Sequence, residues 1–130
     1  MTVYFISGHR NITKKEFQEH YSSLIDTIIS LNEKIGRDIR FVVGDYVGVD
    51  IMAQKHLNNI GFKDVTVYHM FKKPMNSVGF PTIGGFKTDE ERDSAMTMIS
   101  DYDIAWVREG MSKSGTQQNI DRRERLKGSE

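Results

Sequence analysis

The sequence predicts an α/β fold: a single Rossmann-like domain in which a parallel sheet of four to five strands carries helices on both faces. Three observations predict it. Short β-branched and aromatic runs alternate with segments of helical periodicity along the chain. Most of these runs stop at glycine or polar residues, as strands do when they feed a crossover helix. A length of 130 residues with 38% hydrophobic content suits one domain, residues 1–130, with a core of ordinary size.

Val3 to Ser7 (VYFIS) reads as a buried strand that ends at Gly8. Thr13 and Glu16 fit a capping box, and Phe17, Tyr21, Leu24, Ile25, Ile28 and Leu31 then recur at helical spacing up to Gly36. Ile39 to Val43 (IRFVV) is a second strand, stopped by Gly44. A second helix is expected from Val49 or Asp50, with Met52, Ala53, Leu57 and Ile60 on one face and Gly61 as its terminator. Val65 to Met70 (VTVYHM) is a third strand. The segment from Phe71 to Lys87 holds both prolines and three glycines and is expected to be one long loop. Thr88, with Glu91 three residues on, caps a helix running to about Ser100. Asp103 to Val107 (DIAWV) is a fourth strand, which gives Trp106 a place in the core. A last helix opens near Gly115 or Thr116, and its charged run Asp121-Arg122-Arg123-Glu124-Arg125 reads as a solvated face or a frayed end.

Composition narrows the function classes. Lys plus Arg equals Asp plus Glu, 18 against 18, so no global basic field argues for nucleic acid. The absence of cysteine excludes disulfides and thiolate metal sites. His20, His56 and His69 show no metal-ligand spacing, so neither metal nor cofactor is expected. Met1 to Ser7 has no basic leader or small-residue cleavage site, and no apolar stretch reaches bilayer-spanning length. The expected setting is cytoplasmic, with no membrane partner.

Ligands of open parallel sheets bind outside the carboxyl ends of the strands. Three turns are expected there. In Ser7-Gly8-His9-Arg10, glycine permits close backbone approach and Arg10 offers a phosphate fork. In Gly44-Asp45-Tyr46-Val47-Gly48-Val49-Asp50, backbone amides are expected to converge at a helix start, with Asp50 as its N-cap. Asp45 suits sugar hydroxyls or proton transfer. In Ser112-Lys113-Ser114-Gly115-Thr116, hydroxyl and amide donors open a helix. The chain contains neither a Walker loop nor a Gly-x-Gly-x-x-Gly fingerprint, nor a Gly-x-Ser-x-Gly elbow. Met70, Met75, Met96 and Met98 read as gap-fillers more than as pocket lining.

These turns, in this order, resemble the SLOG superfamily, named for the DNA-processing protein A and Lonely-Guy groups, and most of all its small bacterial and phage members. Gly8-His9-Arg10 matches its Gly-x-Arg turn, and Gly44, Gly48 and Asp50 match its Gly-x-x-x-Gly-x-Asp loop. Arg92-Asp93-Ser94-Ala95-Met96 followed by Asp103-Ile104-Ala105-Trp106 matches its Arg-[Asn/Asp]-x-x-Met segment and the strand after it. Ser114-Gly115-Thr116 matches its Gly-Thr turn. The resemblance covers nearly the whole chain. It implies nucleotide binding with cleavage or transfer at the N-glycosidic bond, as in Lonely-Guy hydrolases and nucleoside 2-deoxyribosyltransferases. Where those enzymes carry a glutamate, this chain carries Gln117 and Gln118, then Asn119; an amide cannot act as a carboxylate, and Asp45, Asp50 or Asp93 is left to substitute for it.

The resulting expectation is that Arg10, Arg92 and Ser114-Gly115-Thr116 hold phosphate, with Gly8, His9, Gly44, Gly48, Asp50 and Asp93 completing the nucleotide site. Asp45 and Gln118 meet the sugar, and Asp45 stabilises the cationic transition state. The partner is a nucleotide or a nucleotide-derived small molecule, and a homodimer is left open. The competing readings are a non-catalytic module that senses or sequesters a nucleotide signal, and single-stranded DNA binding. Zero net charge and the lack of an aromatic-basic stripe count against DNA.

Overall fold

The computed structural model describes residues 1–128. In chain order its elements are β1 (Thr2–Ser7), α1 (Lys14–Phe17), a π-helical turn (Gln18–Ser22), α2 (Ser23–Lys34), β2 (Ile39–Val43), α3 (Val49–Asn59), β3 (Val65–Met70), β4 (Thr82–Phe86), α4 (Asp89–Ile99), β5 (Tyr102–Ala105) and α5 (Gly115–Gly128). The five strands form one sheet in the order β4-β3-β2-β1-β5, and every pairing is parallel. This is the Rossmann-like α/β architecture the sequence predicts. Among the described residues no helix is long and apolar enough to cross a membrane.

Both faces of the sheet are covered, so its inner strands carry apolar side chains in both directions. On one face Ile6, Phe41, Val43 and Val67 pack against Phe17, Tyr21 and Ile25 of the first helical segment and against Val49, Ala53 and Leu57 of α3. On the other, Val3, Phe5, Val42 and Tyr68 meet Met96 of α4. Succession along the sheet runs outward from β1 to β4. The chain then returns through α4 to β5 on the far side of β1, so the strand order reverses beside β1.

The fourth strand corrects the expectation of a single loop over 71–87. The connection after β3 is shorter, residues 71–81, and Thr82–Phe86 pairs in parallel with β3. Two glycines and near-complete exposure give this edge strand no hydrophobic alternation to read. A β-carbon on Gly84 would run into the His69 ring, so β4 fits against β3 because a glycine stands there.

The first helix is also corrected. Thr13 makes the full capping box with Glu16. The π turn that follows admits an extra residue and rotates the rest of the helix. Tyr21 and Ile25 therefore face the sheet, while Leu24 and Leu31 turn outward, 45% and 56% exposed.

The charged run in α5 is not simply a solvated face. Arg123 is buried, donating from Nη1 to the Ser100 carbonyl at 2.7 Å and from Nη2 to Asp103 Oδ1 at 2.9 Å. It fastens α5 to the end of α4 and the start of β5.

Candidate functional site

A cleft of about 500 Å³ opens at the carboxyl ends of β1 and β2, closed on one side by α4 and the start of α5. It lies where the strand order reverses, the place where open parallel sheets bind ligands. All three glycine-bearing turns contribute to it: Ser7 to Asn11, then Gly44 with Tyr46, Val47 and Asp50, then Ser114 to Thr116. From α4 come Asp89, Arg92, Asp93 and Met96.

The backbone around the cleft is fixed by close approaches that demand small residues. A β-carbon on Gly8 would collide with Val49 and come within 2.5 Å of Tyr21 Oη. That hydroxyl, carried on the π turn, donates to the Ser7 carbonyl at 2.8 Å and accepts from the Trp106 amide at 2.9 Å. It thus ties the end of β1 to the end of β5. Burial pushes the Tyr21 phenol well above its ordinary range, which keeps this donor protonated. Gly48, at φ +83°, does not line the cleft. Its job is to let α3 start against the His9 and Arg10 carbonyls, where a side chain would clash.

His9 is buried, and its Nε2 lies 2.9 Å from the Arg108 amide. That amide can only donate, so Nε2 accepts and the neutral ring carries its proton on Nδ1. Burial first, then the Arg108 charge, holds its pKa below the usual histidine value. Arg108 forms a two-pronged pair with Glu16, Nη2 to Oε1 at 2.9 Å and Nε to Oε2 at 3.1 Å. Hydrogen bonding from Arg108, followed by the Thr13 amide, pulls the Glu16 carboxyl down to about 2. Sequence reasoning passed over Arg108, because a lone arginine after a strand has no motif. Trp106 stands past the end of β5, half-buried, its ring stacked 4.1 Å from that of His20. It packs against the edge of the core, as expected, although it lies beyond the strand and is only partly buried.

The second glycine turn departs from its expected role. The Val49 amide donates to the His9 carbonyl and the Tyr46 amide to Asp50 Oδ2, both at 3.1 Å, so these donors are already spent. Asp50 is not the N-cap of α3; Gly48 holds that position, and Asp50 sits in the first turn with its side chain reaching back. At α5 the donors stay free. Ser114 Oγ accepts from the Gln117 amide at 3.1 Å, and the Gly115 and Thr116 amides have no partner among the described residues. Ser7 Oγ, on the same cleft, is buried and unpartnered. Arg10 lies at the mouth, its guanidinium 4.3 Å from the centre of the Tyr46 ring.

Arg92 is the hub of the acidic wall. It contacts Asp45 through Nη1 at 3.1 Å, Asp93 through Nε at 3.1 Å and Asp89 through Nη2 at 3.4 Å. With an acid on each of its three nitrogens, it organises carboxylates and presents no open fork to phosphate. Asp45 does not line the cleft. Its Oδ2 accepts from the Met75 amide at 2.7 Å, and its carbonyl accepts from Asn76 Nδ2 at 3.0 Å, so it anchors the 71–81 loop. Buried Gln54 clamps the same loop, donating to the Gly44 and Asn76 carbonyls. Gln118 is exposed and does not line the cleft. Its neighbour Asn119 is buried, lines the cleft, and donates to Asp93 Oδ2 at 3.1 Å.

No family model matches this chain, and neither curated proteins nor solved structures yield a match.

Among the described residues no three histidine, aspartate or glutamate side chains gather as a metal-binding set. The acids of the cleft converge on Arg92. Asp50, 8% exposed, is the one of them without a direct bond to that guanidinium. Burial first of all lifts its carboxyl to about 7, with Asp93 and Asp45 adding to the rise.

Proposed function

We propose that this cleft binds a nucleoside monophosphate, with the phosphate on the amino-terminal turn of α5. The observation that carries the reading is the pair of unpartnered amides of Gly115 and Thr116, at a turn that lines the same cleft as Ser7, whose hydroxyl is buried and unpartnered. A fourteen-residue helix directs its positive dipole end there, and Arg10, held over the Tyr46 ring, lines the same cleft as a counter-charge. Asp89 and Asp93 repel phosphate, so their wall suits the sugar hydroxyls. The order of glycine turns, similar to that of the SLOG superfamily, supports the same reading.

Titration calorimetry with nucleoside 5′-monophosphates and the corresponding nucleosides tests it. The monophosphates are expected to bind at least tenfold more tightly, consistent with a charge-assisted contact worth about 1.5–3 kcal/mol. Equal affinities would remove the phosphate from the α5 turn.

A second reading, hydrolysis at the N-glycosidic bond, is favoured by one specific observation. Two carboxyl groups, Asp50 and Asp93, border the cleft in different environments. Asp93 accepts from both Arg92 and Asn119, bonds that favour its anion next to a developing sugar cation, against the burial that lifts its carboxyl above the ordinary range. Asp45 and Gln118, the sequence candidates for that work, lie outside the lining.

A further inference from the structure

We propose that Asp50 is the acid of this cleft, donating the proton that a nucleobase takes up as it leaves the sugar. The inference rests on the N-glycosidic reading given above and adds the group that makes the base a competent leaving group.

The geometry sets Asp50 apart from the other cleft acids. It is nine-tenths buried in the first turn of α3 and borders the cleft. Oδ2 accepts from the Tyr46 amide, whereas Oδ1 has no hydrogen-bond partner among the described residues. Oδ1 is not one of the sealed unpartnered atoms, which are Ser7 Oγ, Thr97 Oγ1 and Arg123 Nε, so it meets the cleft. By contrast Asp93 has a donor on each oxygen, and Asp45 is held by Arg92 and the Met75 amide. A carboxyl group with one bound and one free oxygen can keep a proton on the free one and deliver it. Gly44 makes the placement possible, since a β-carbon there would stand 2.5 Å from Asp50 Oδ2.

The charged and titratable groups around Asp50 are Asp45 on its own loop, Arg92 and Asp93 on α4, and Tyr21 on the π turn. Burial is the largest influence on its proton, and with the two acids it outweighs Arg92 and the Tyr46 amide. The carboxyl is therefore partly protonated at neutral pH, as a general acid must be.

The step balances without a co-reactant other than water. The Oδ1 proton passes to a basic ring nitrogen or carbonyl oxygen of the base, and the C1′–N bond breaks with its electron pair on the glycosidic nitrogen, so that the base leaves neutral. Asp93 faces the cationic sugar. A water oxygen then bonds to C1′, and its proton returns to the Asp50 carboxylate. The products are free base and sugar phosphate.

The test follows base release from the 5′-monophosphates of adenosine, guanosine, cytidine and uridine, alongside 4-nitrophenyl riboside 5-phosphate, whose leaving group needs no proton. Wild-type protein is expected to release base with kcat/KM falling above about pH 7, and to cleave the nitrophenyl substrate without that fall. Asp50→Asn keeps an acceptor for the Tyr46 amide. It is expected to bind the monophosphate as wild type does, to lose about a hundredfold in base release, and to lose far less on the nitrophenyl substrate. Equal losses on both substrates, or the same basic limb for both in the wild type, would overturn the assignment. So would monophosphate binding with no base released at any pH, which leaves the binding reading standing. Failure of every monophosphate to bind overturns the reading of the cleft and the Asp50 assignment together. The wild-type pH comparison decides the matter even if Asp50→Asn does not fold.

Discussion

Asp45 and Arg92 form an ion pair 3.1 Å long in which each side chain is 7% exposed. The pair joins the end of β2 to α4, and through Met75 it also joins the 71–81 loop to both. Removing one member of such a pair strands the other in a poorly solvated site, a loss of about 3–5 kcal/mol. Arg92 keeps Asp89 and Asp93, so Asp45→Ala is expected at the low end, about 3 kcal/mol, by urea unfolding. Gln118→Ala, on the exposed side of α5, is expected within about 0.5 kcal/mol of wild type. A larger effect for Gln118 than for Asp45 would reverse the placement of the two residues.

The phosphate position can be mapped with two side chains. Thr116→Val removes a buried hydroxyl at the second residue of α5, and Arg10→Ala removes the charge at the cleft mouth. Each is expected to weaken a nucleoside monophosphate by about ten- to a hundredfold and the free nucleoside by much less. Calorimetry on the four protein–ligand pairs measures the difference. Parallel losses would assign both residues to the nucleoside end.

Asp50 also leaves a mark on stability. Its carboxyl titrates at 3.8 when unperturbed and at about 7 in the folded chain, so between those values the native state binds the extra proton. The Asp50 contribution to stability is therefore expected to fall as pH rises from about 4 to about 7 and then to level off, against the opposite contribution of His9, whose pKa is lowered. Asp50→Asn is expected to remove that falling contribution. Urea midpoints for both proteins across this window check the sign; a stability difference between wild type and Asp50→Asn that does not shift against the wild type as pH rises refutes it.

Gly48 offers a backbone test. It adopts φ +83°, and a β-carbon there would collide with the His9 and Arg10 carbonyls. Gly48→Ala is expected to cost more than about 1 kcal/mol, because the left-handed backbone and the clash add. By displacing Arg10 it is also expected to weaken phosphate binding. Thermal unfolding with and without a nucleoside monophosphate separates the two effects, and a fully wild-type profile would contradict the close approach.

Much of the fold is legible in the sequence because buried strands and capped helices have strong local signals. The runs ending at Ser7, Val43 and Met70, and the caps at Thr13 and Thr88, all stand where they are expected. Strand β4 is not legible, since an exposed edge strand with two glycines is held by backbone pairing and not by side-chain burial. Leu24 and Leu31 mislead because the π turn, which shifts the helical register, leaves no pattern in the residues. The cleft is legible as three turns at one sheet edge. Which acid points into it is not: Asp45 and Asp50 share one loop, and only the folded chain turns one toward Arg92 and the other toward the cleft. Arg123 fails for a related reason, since a buried arginine in a charged run looks the same as its solvated neighbours.

The chain contains a single tryptophan, and its surroundings give the molecule a built-in optical probe. The Trp106 indole is stacked on His20 at an interplanar angle of 6° and meets the edge of His9 at 5.8 Å. His9 in turn borders the cleft, so the fluorophore stands one side chain away from whatever occupies it. Intrinsic indole fluorescence of the unlabelled protein thus reports on this corner alone, reading the stacking on His20 and the packing of the His9 turn in real time.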